Sequence, residues 1–214
     1  KEMVVTGAIV LHNNHPEIDA IAVACLENWI PYLQELLEKF NIKKVKKIVP
    51  GGSSGQESIY NGLKAAEKIA GGEKSIVLIH DGVRPLINEK TITDNIESVK
   101  KHGSSITCVK VKETVLVVAE DNSIEDVPNR ADTRLARAPQ SFYLDEIIGA
   151  HRKAMAENKY DFIDSCSMMQ YYGKKLYLIE GPQENIKITT PDDFYTMRAL
   201  LDAKEEAQIY GLDD

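Results

Sequence analysis

Three short stretches place charge-handling residues where a folded chain usually has apolar or turn residues. In VLIHDGVRP, residues 77–85, an apolar run suited to a buried strand ends in His80-Asp81, turns through Gly82 and sets Arg84 before a proline. A carboxylate at a strand's carboxyl end can hold Mg²⁺ or a hydroxyl, and a guanidinium can fork onto a phosphate. Gly82 lets a ligand approach the backbone closely, and Pro85 fixes the turn. The plainer alternative is that Asp81 and Arg84 pair with each other to hold that turn. In NIKITTP, residues 185–191, Lys187 sits among apolar and neutral neighbours. There it suits a phosphate or a developing negative charge as a point cation, or simply faces solvent. PGGSSGQES, residues 50–58, offers glycines and backbone N–H groups at a helix entrance, where polar ligand atoms or phosphate can bind. It is not a P-loop, and no GxGxxG occurs.

Other candidates are weaker. NRADTRLARAPQSF packs Arg130, Arg134 and Arg137 into eight residues, either a solvated charged loop or an anion-binding surface. His12 and His15 lack a third ligand at useful spacing and read as solvated loop histidines, and His80 reads as space-filling. Asp161, Asp164 and Ser165 read as a helix cap. There is no GxSxG serine nucleophile.

These stretches need a scaffold, and the hydrophobic pattern supplies one. The short apolar run Ile18–Cys25 and the short stretches Val45–Val49 and Ile76–Ile79 read as strands. Helical periodicity follows each, over Trp29–Phe40, Gln56–Ile69 and Glu89–His102. Such alternation predicts an α/β domain with a mostly parallel sheet, helices on both faces, and ligands beyond the carboxyl ends of the strands. The rhythm breaks at Ser105, where Ile106–Val109, Thr114–Val118 and Ser123–Val127 read as strands with no helix between them. Residues 113–137 are therefore expected to leave the main sheet as a β-arm. Helices near Leu144–Ala156 and Ile163–Tyr172, strands at Lys175–Ile179 and Asn185–Ile188, and a final helix capped by Thr190 complete one domain over residues 1–214.

The 214 residues carry a formal net charge of −7, which argues against a broad nucleic-acid-binding surface. An anionic ligand must be held by local cations against that field. Three well-separated cysteines fit a reducing, cytoplasmic setting better than a disulfide framework. No apolar run approaches the roughly 20 residues needed to span a bilayer.

In series, GGSSGQESI, VLIHDGVRP, KETV, PNR, APQSF and NIKITTPDD resemble the CTP-dependent cytidylyltransferases that act on sugar-alcohol phosphates. These include the 2-C-methyl-D-erythritol 4-phosphate enzymes of isoprenoid synthesis and the D-ribitol 5-phosphate enzymes of wall-polymer (teichoic acid) synthesis. The resemblance spans residues 18–194. It implies a Rossmann-like fold whose β-arm embraces a second subunit, CTP and a polyol phosphate as substrates, and Mg²⁺ as cofactor. Gly52, Ser53, Ser58 and Gly82 would face the nucleotide. Asp81 and Arg84 would contact the polyol phosphate, with Thr114 and Arg130 of the arm completing that pocket across the homodimer. Lys187 would hold phosphates, and Asp81 is the candidate metal ligand. Two departures stand out. Ala138-Pro139-Gln140 replaces the usual Thr-Pro-Gln of the methylerythritol enzymes, which favours ribitol phosphate. Nothing before Ile18 reads as the family's first strand and glycine-rich triphosphate loop, so both are expected to be missing. Were that loop lost, a non-catalytic dimeric relative that only binds nucleotide or polyol phosphate would be the alternative.

Overall fold

The computed structural model describes residues 2–6 and 9–210. In chain order its elements are β1 (Glu2–Thr6), α1 (Ile9–Asn14), β2 (Ala20–Cys25), α2 (Ile30–Lys39), β3 (Val45–Pro50), α3 (Gly55–Ala70), β4 (Ile76–His80) and α4 (Glu89–His102). They continue with β5 (Ser104–Lys110), β6 (Val117–Val118), β7 (Ile124–Asp126), β8 (Arg134–Tyr143), α5 (Leu144–Ala156), α6 (Ser165–Tyr171), β9 (Leu178–Glu180) and α7 (Pro191–Tyr210).

Seven strands form one sheet in the order β3-β2-β1-β4-β8-β5-β9. β8 runs antiparallel to both its neighbours, β4 and β5; the other pairings are parallel. Alternation along the strands divides the core. Ala20 and Ala22 of β2, with Val77 and Ile79 of β4, face α3, α5 and α6 through Leu63, Ala66, Ile147, Ile148 and Met168. Ile21 and Val23, with Ile76 and Leu78, face Ile92, Ile96 and Val99 of α4. A strand whose every residue is covered must be apolar on both faces, as β4 is. The helices begin on side-chain caps: Ser54 for α3, Asn88 for α4 and Asp164, within a capping box, for α6. Thr190 Oγ accepts from Asp193 N at the start of α7.

The α/β architecture with helices on both faces is the one expected. Four details differ. A strand does precede Ile18: Glu2–Thr6 pairs with β2 on one side and β4 on the other, at the centre of the sheet. Gly7 and Ala8, which follow it in the chain, lie outside the described residues. The arm is shorter than 113–137. β6 and β7 form a separate two-stranded sheet, but Arg134, Leu135 and Ala136 already pair with Lys110, Val109 and Cys108 of β5. The arginine-rich stretch read as loop is thus half of β8, which tolerates Pro139 because the ladder is irregular there. Finally, Asn185–Ile188 is not a strand; it is irregular backbone docked on the turn after β4 through Ile188 N to the Val83 carbonyl, 2.8 Å. Among the described residues no helix is long and apolar enough to cross a membrane.

Candidate functional site

At the carboxyl end of β4 the chain turns over Asp81-Gly82-Val83-Arg84, closed by Arg84 N donating to the Asp81 carbonyl at 3.1 Å. Arg84 Nε donates to Asp81 Oδ2 at 2.9 Å, and one terminal nitrogen, Nη1, donates to the Asn185 carbonyl at 3.0 Å. Lys187 Nζ approaches the other carboxylate oxygen, Oδ1, at 3.8 Å. The Asp81–Arg84 pair is therefore made, as the plainer reading held, but it does not close the site. The Arg84 side chain is only 12% exposed against 48% for Lys187. A largely covered guanidinium thus stands beside a half-exposed ammonium, with one carboxylate between them.

His80 supports the turn from below, its Nε2 paired with the Arg84 carbonyl at 3.0 Å. Burial pushes its pKa down to about 4, opposed by that hydrogen bond and by Asp81, so the ring is neutral near pH 7. His12 packs edge-on against it at 5.1 Å between ring centroids. Burial, then the neighbouring His80 and His15, hold the His12 pKa well below the ordinary value. His12 and His15 are both buried, which corrects their reading as solvated loop residues. The HNNHP segment lies under the turn, with His15 Nε2 3.2 Å from Thr93 Oγ1 on α4.

Asn185, fully buried, was missed as a participant. Its side chain donates to the Ala138 carbonyl at 2.9 Å while its own carbonyl receives Arg84. It joins the Lys187 segment to β8 and to the turn at once. A short polar residue ahead of an apolar-lysine-apolar triplet was the available signal.

The PGGSSG loop follows β3, three strands away from β4, with β2 and β1 between them. At the ~4.8 Å strand spacing, the carboxyl ends of β3 and β4 lie about 14 Å apart, a span suited to a nucleotide rather than one phosphate. The loop satisfies itself. Gly52 N donates to Ser58 Oγ at 2.9 Å, and Ser53 N and Oγ both donate to Glu57 Oε2 at 2.7 Å. Those bonds to Ser53 hold the Glu57 carboxyl below its usual range. A Cβ on Gly52 would stand 2.3 Å from Glu57 Cγ, so this glycine is required by close approach. Gln56 fixes the base of the loop by bonds to the Lys159 carbonyl and the Phe162 N–H.

The structure thus brings Asp81, Arg84 and Lys187 together, with Gly82 exposed in the same turn, and sets Gly52, Ser53 and Ser58 across the carboxyl edge. A groove of about 450 Å³ beside the loop includes Ser53 but not Asp81, Arg84 or Lys187. Thr114 and Arg130 lie on the exposed arm, where Arg130 donates to the Lys112 carbonyl at 3.1 Å; no described contact joins either to Asp81. For magnesium the fit is poor. Both oxygens of Asp81 face cations, and no cluster of three His, Cys, Asp or Glu side chains occurs among the described residues.

Comparison with known proteins identifies the family. A ribitol-5-phosphate cytidylyltransferase of Streptococcus agalactiae serotype V is 49% identical over 209 residues, covering 98% of this chain and 87% of that one. A 2-C-methyl-D-erythritol 4-phosphate cytidylyltransferase of Clostridium botulinum is 38% identical over 190 residues, 89% of this chain and 81% of the other. The crystal structure of 4-diphosphocytidyl-2C-methyl-D-erythritol synthase from Anaerococcus prevotii superposes with a TM-score of 0.82 at 25% identity, over 94% of this chain and 95% of that one. The profile of IspD, 2-C-methyl-D-erythritol 4-phosphate cytidylyltransferase, matches residues 2–203. The chain belongs to the IspD family and is a cytidylyltransferase.

Proposed function

We propose that the chain joins CTP to D-ribitol 5-phosphate, giving CDP-ribitol and pyrophosphate. The observation that carries the reading is the convergence of Arg84 and Lys187 on Asp81 beyond β4, three strands from the PGGSSG loop. That spacing separates a polyol-phosphate end from a cytidine end. The choice of ribitol is supported by the 49% identical ribitol-5-phosphate relative and by Ala138 standing where the methylerythritol enzymes usually have threonine.

The chemistry asks for positioning and charge neutralisation. A phosphate monoester has its second pKa near about 6 and is largely dianionic at neutral pH, so its oxygen needs no general base. That oxygen attacks the α-phosphorus of CTP, a new P–O bond forms in line, and the α–β bridging oxygen leaves with pyrophosphate. Arg84, fixed by Asp81 and the Asn185 carbonyl, orients the attacking phosphate. Lys187, more exposed and less tightly held, moves onto the charge that builds on the α-phosphoryl oxygens. The residues at Asp81 build no cradle for magnesium, so no step is assigned to a protein-held metal.

The β6–β7 arm carries exposed Leu116, Val117, Val118, Ile124 and Val127. A run of five exposed apolar side chains supports its docking on a second copy, with Thr114 and Arg130 delivered to the partner's pocket. Three free cysteines support a cytoplasmic setting.

The test is pyrophosphate release with CTP against a panel of D-ribitol 5-phosphate and 2-C-methyl-D-erythritol 4-phosphate. The expected result is a kcat/KM at least tenfold higher for the ribitol ester. A preference for the methylerythritol ester overturns the substrate assignment.

A further inference from the structure

Arg137 is a cation that the site described so far leaves unused, and β8 presents it in an unusual way. Between the pairs Ile106↔Gln140 and Cys108↔Ala136, β5 contributes one residue, Thr107, and β8 contributes three, Arg137, Ala138 and Pro139. A surplus of this kind bends a strand and re-aims its side chains. It falls just before Gln140, the first residue of β8 that pairs with β4, opposite Ile79, and so stands over the strand end from which Asp81 and Arg84 emerge.

From there Arg137 Nη1 donates to the Gln183 carbonyl at 2.8 Å, while Arg84 Nη1 donates to the Asn185 carbonyl at 3.0 Å. Two guanidiniums are pinned to carbonyls two residues apart on one segment, and the same segment carries Lys187. The segment is itself tied to the bulge by Asn185 Nδ2 and the Ala138 carbonyl. Charge is not balanced. Arg84 has Asp81; Arg137 has no ion pair among the described residues, and the nearby Glu184 is taken by Lys204 at 3.5 Å. Burial, and then the charge of Arg84, push the Arg137 pKa downward, with Glu184 acting the other way. Three cations on neighbouring backbone, only two of which share a carboxylate, in a chain of net charge −7, describe a place prepared for an anion.

We propose that Arg137 is a third anion-binding side chain of the site and takes the phosphate group of the polyol phosphate. It stands on the side of β4 away from the PGGSSG loop, which separates it from the nucleoside end. The assignment rests on the reading that two phosphorylated substrates meet here.

The experiment is steady-state kinetics of Arg137→Gln and Arg137→Lys with each substrate varied in turn. Arg137→Gln is expected to raise KM for D-ribitol 5-phosphate at least tenfold and leave KM for CTP within twofold. Arg137→Lys, which keeps the charge, is expected to recover part of that loss, and matched melting temperatures show that neither variant acts by unfolding. A rise in KM confined to CTP overturns the polyol assignment, and no change in either KM overturns the site. If the unsubstituted chain fails to use D-ribitol 5-phosphate, the function reading falls separately, and calorimetric titration with inorganic phosphate decides for Arg137. Weaker binding by Arg137→Gln upholds its role, and equal binding removes it.

Discussion

Lys187 Nζ lies 3.8 Å from Asp81 Oδ1, the oxygen that Arg84 leaves free when it takes Oδ2 at 2.9 Å. One carboxylate is shared by two cations from segments about a hundred residues apart, and it keeps them from repelling each other while no anion is bound. The longer contact is the weaker one, so Lys187 is the cation free to change partners. Lys187→Ala is expected to lower kcat roughly 100-fold, the scale for losing one donor to a developing oxyanion. Its melting temperature should stay near that of the unsubstituted chain, because the side chain is half exposed. Pyrophosphate release and a thermal melt on the same preparation read both. An unchanged rate removes Lys187 from the chemistry.

Gly52 and Gly55 make a paired test of the loop. Gly52→Ala places its methyl 2.3–2.6 Å from the Glu57 side chain. Glu57 must move, and Ser53 loses both of its bonds to that carboxylate. Gly55 has nothing within 4 Å of the same atom and opens α3, where alanine is stabilising by roughly 0.4–1 kcal/mol through the unfolded chain. The expected outcome is a several-fold rise in KM for CTP with Gly52→Ala and none with Gly55→Ala. Equal behaviour of the two would mean that the loop's shape does not govern nucleotide binding.

Acid should destabilise the fold before the carboxylates titrate. His80 and His151 are buried with pKa values pushed down to about 4, and His12 is held well below its ordinary 6.5. Unfolding frees all three to take a proton near pH 6.5. Between about pH 6.5 and 4 the unfolded state therefore binds more protons than the folded one, and stability falls as pH falls. Denaturant midpoints from pH 7.5 to 4.5 are expected to drop steadily below pH 6.5. A His151→Gln variant should show a shallower drop, since His151 lies on α5, away from the Asp81 turn. An identical slope in that variant removes His151 from the account.

Asn95 holds together three elements. Its amide donates to the Thr91 carbonyl and to Thr107 Oγ1, and its carbonyl oxygen receives Ser141 Oγ. Thr107 in turn donates to the Pro139 carbonyl at 2.7 Å. Asn95→Ala takes the acceptor from the buried Ser141 hydroxyl and one of two partners from Thr107, and leaves a cavity between α4, β5 and β8, which costs roughly 2–4 kcal/mol. Thermal unfolding should move down by about 5–10 °C in a chain of this size. A shift within 2 °C would mean that water replaces the amide.

Assembly can be tested on the arm alone. Val118→Asp with Ile124→Asp charges two exposed residues of the β6–β7 hairpin and touches no core contact. Sedimentation is expected to show a dimer for the unsubstituted chain and a monomer for the double variant. Unchanged sedimentation would move the interface elsewhere.

Most of this scaffold could be read before it was seen, because β2 and β4 are short apolar runs and α3 and α4 are helices with one oily face and an explicit cap. Asp81 and Arg84 were readable for a related reason, since charge at the end of a fully buried strand needs something to hold it, whereas Lys187 stood out only against its apolar neighbours. What escaped notice had weak local signals and strong tertiary ones. β8 contains two arginines and a proline and is a strand only because β4 and β5 flank it. β1, five residues long, gains its place by pairing on both edges. His12 and His15 look polar in a polar segment, and only packing against His80 and α4 buries them. Asn185 and Arg137 act through backbone carbonyls distant in sequence, which no spacing rule reveals.

The bulge in β8 also governs which changes in chain length this enzyme can accept. Ala136 lies opposite Cys108 and Gln140 opposite Ile106, so the three residues between them are length that the ladder does not count. Removing one of Arg137–Pro139 would leave two residues against Thr107, an ordinary bulge that keeps both flanking pairs. Removing two would leave one against one and flatten the strand where it now reaches over the end of β4. Changes of length at the arm's root are thus absorbed between fixed pairs, and they alter the reach of the bulge rather than the facing of the sheet.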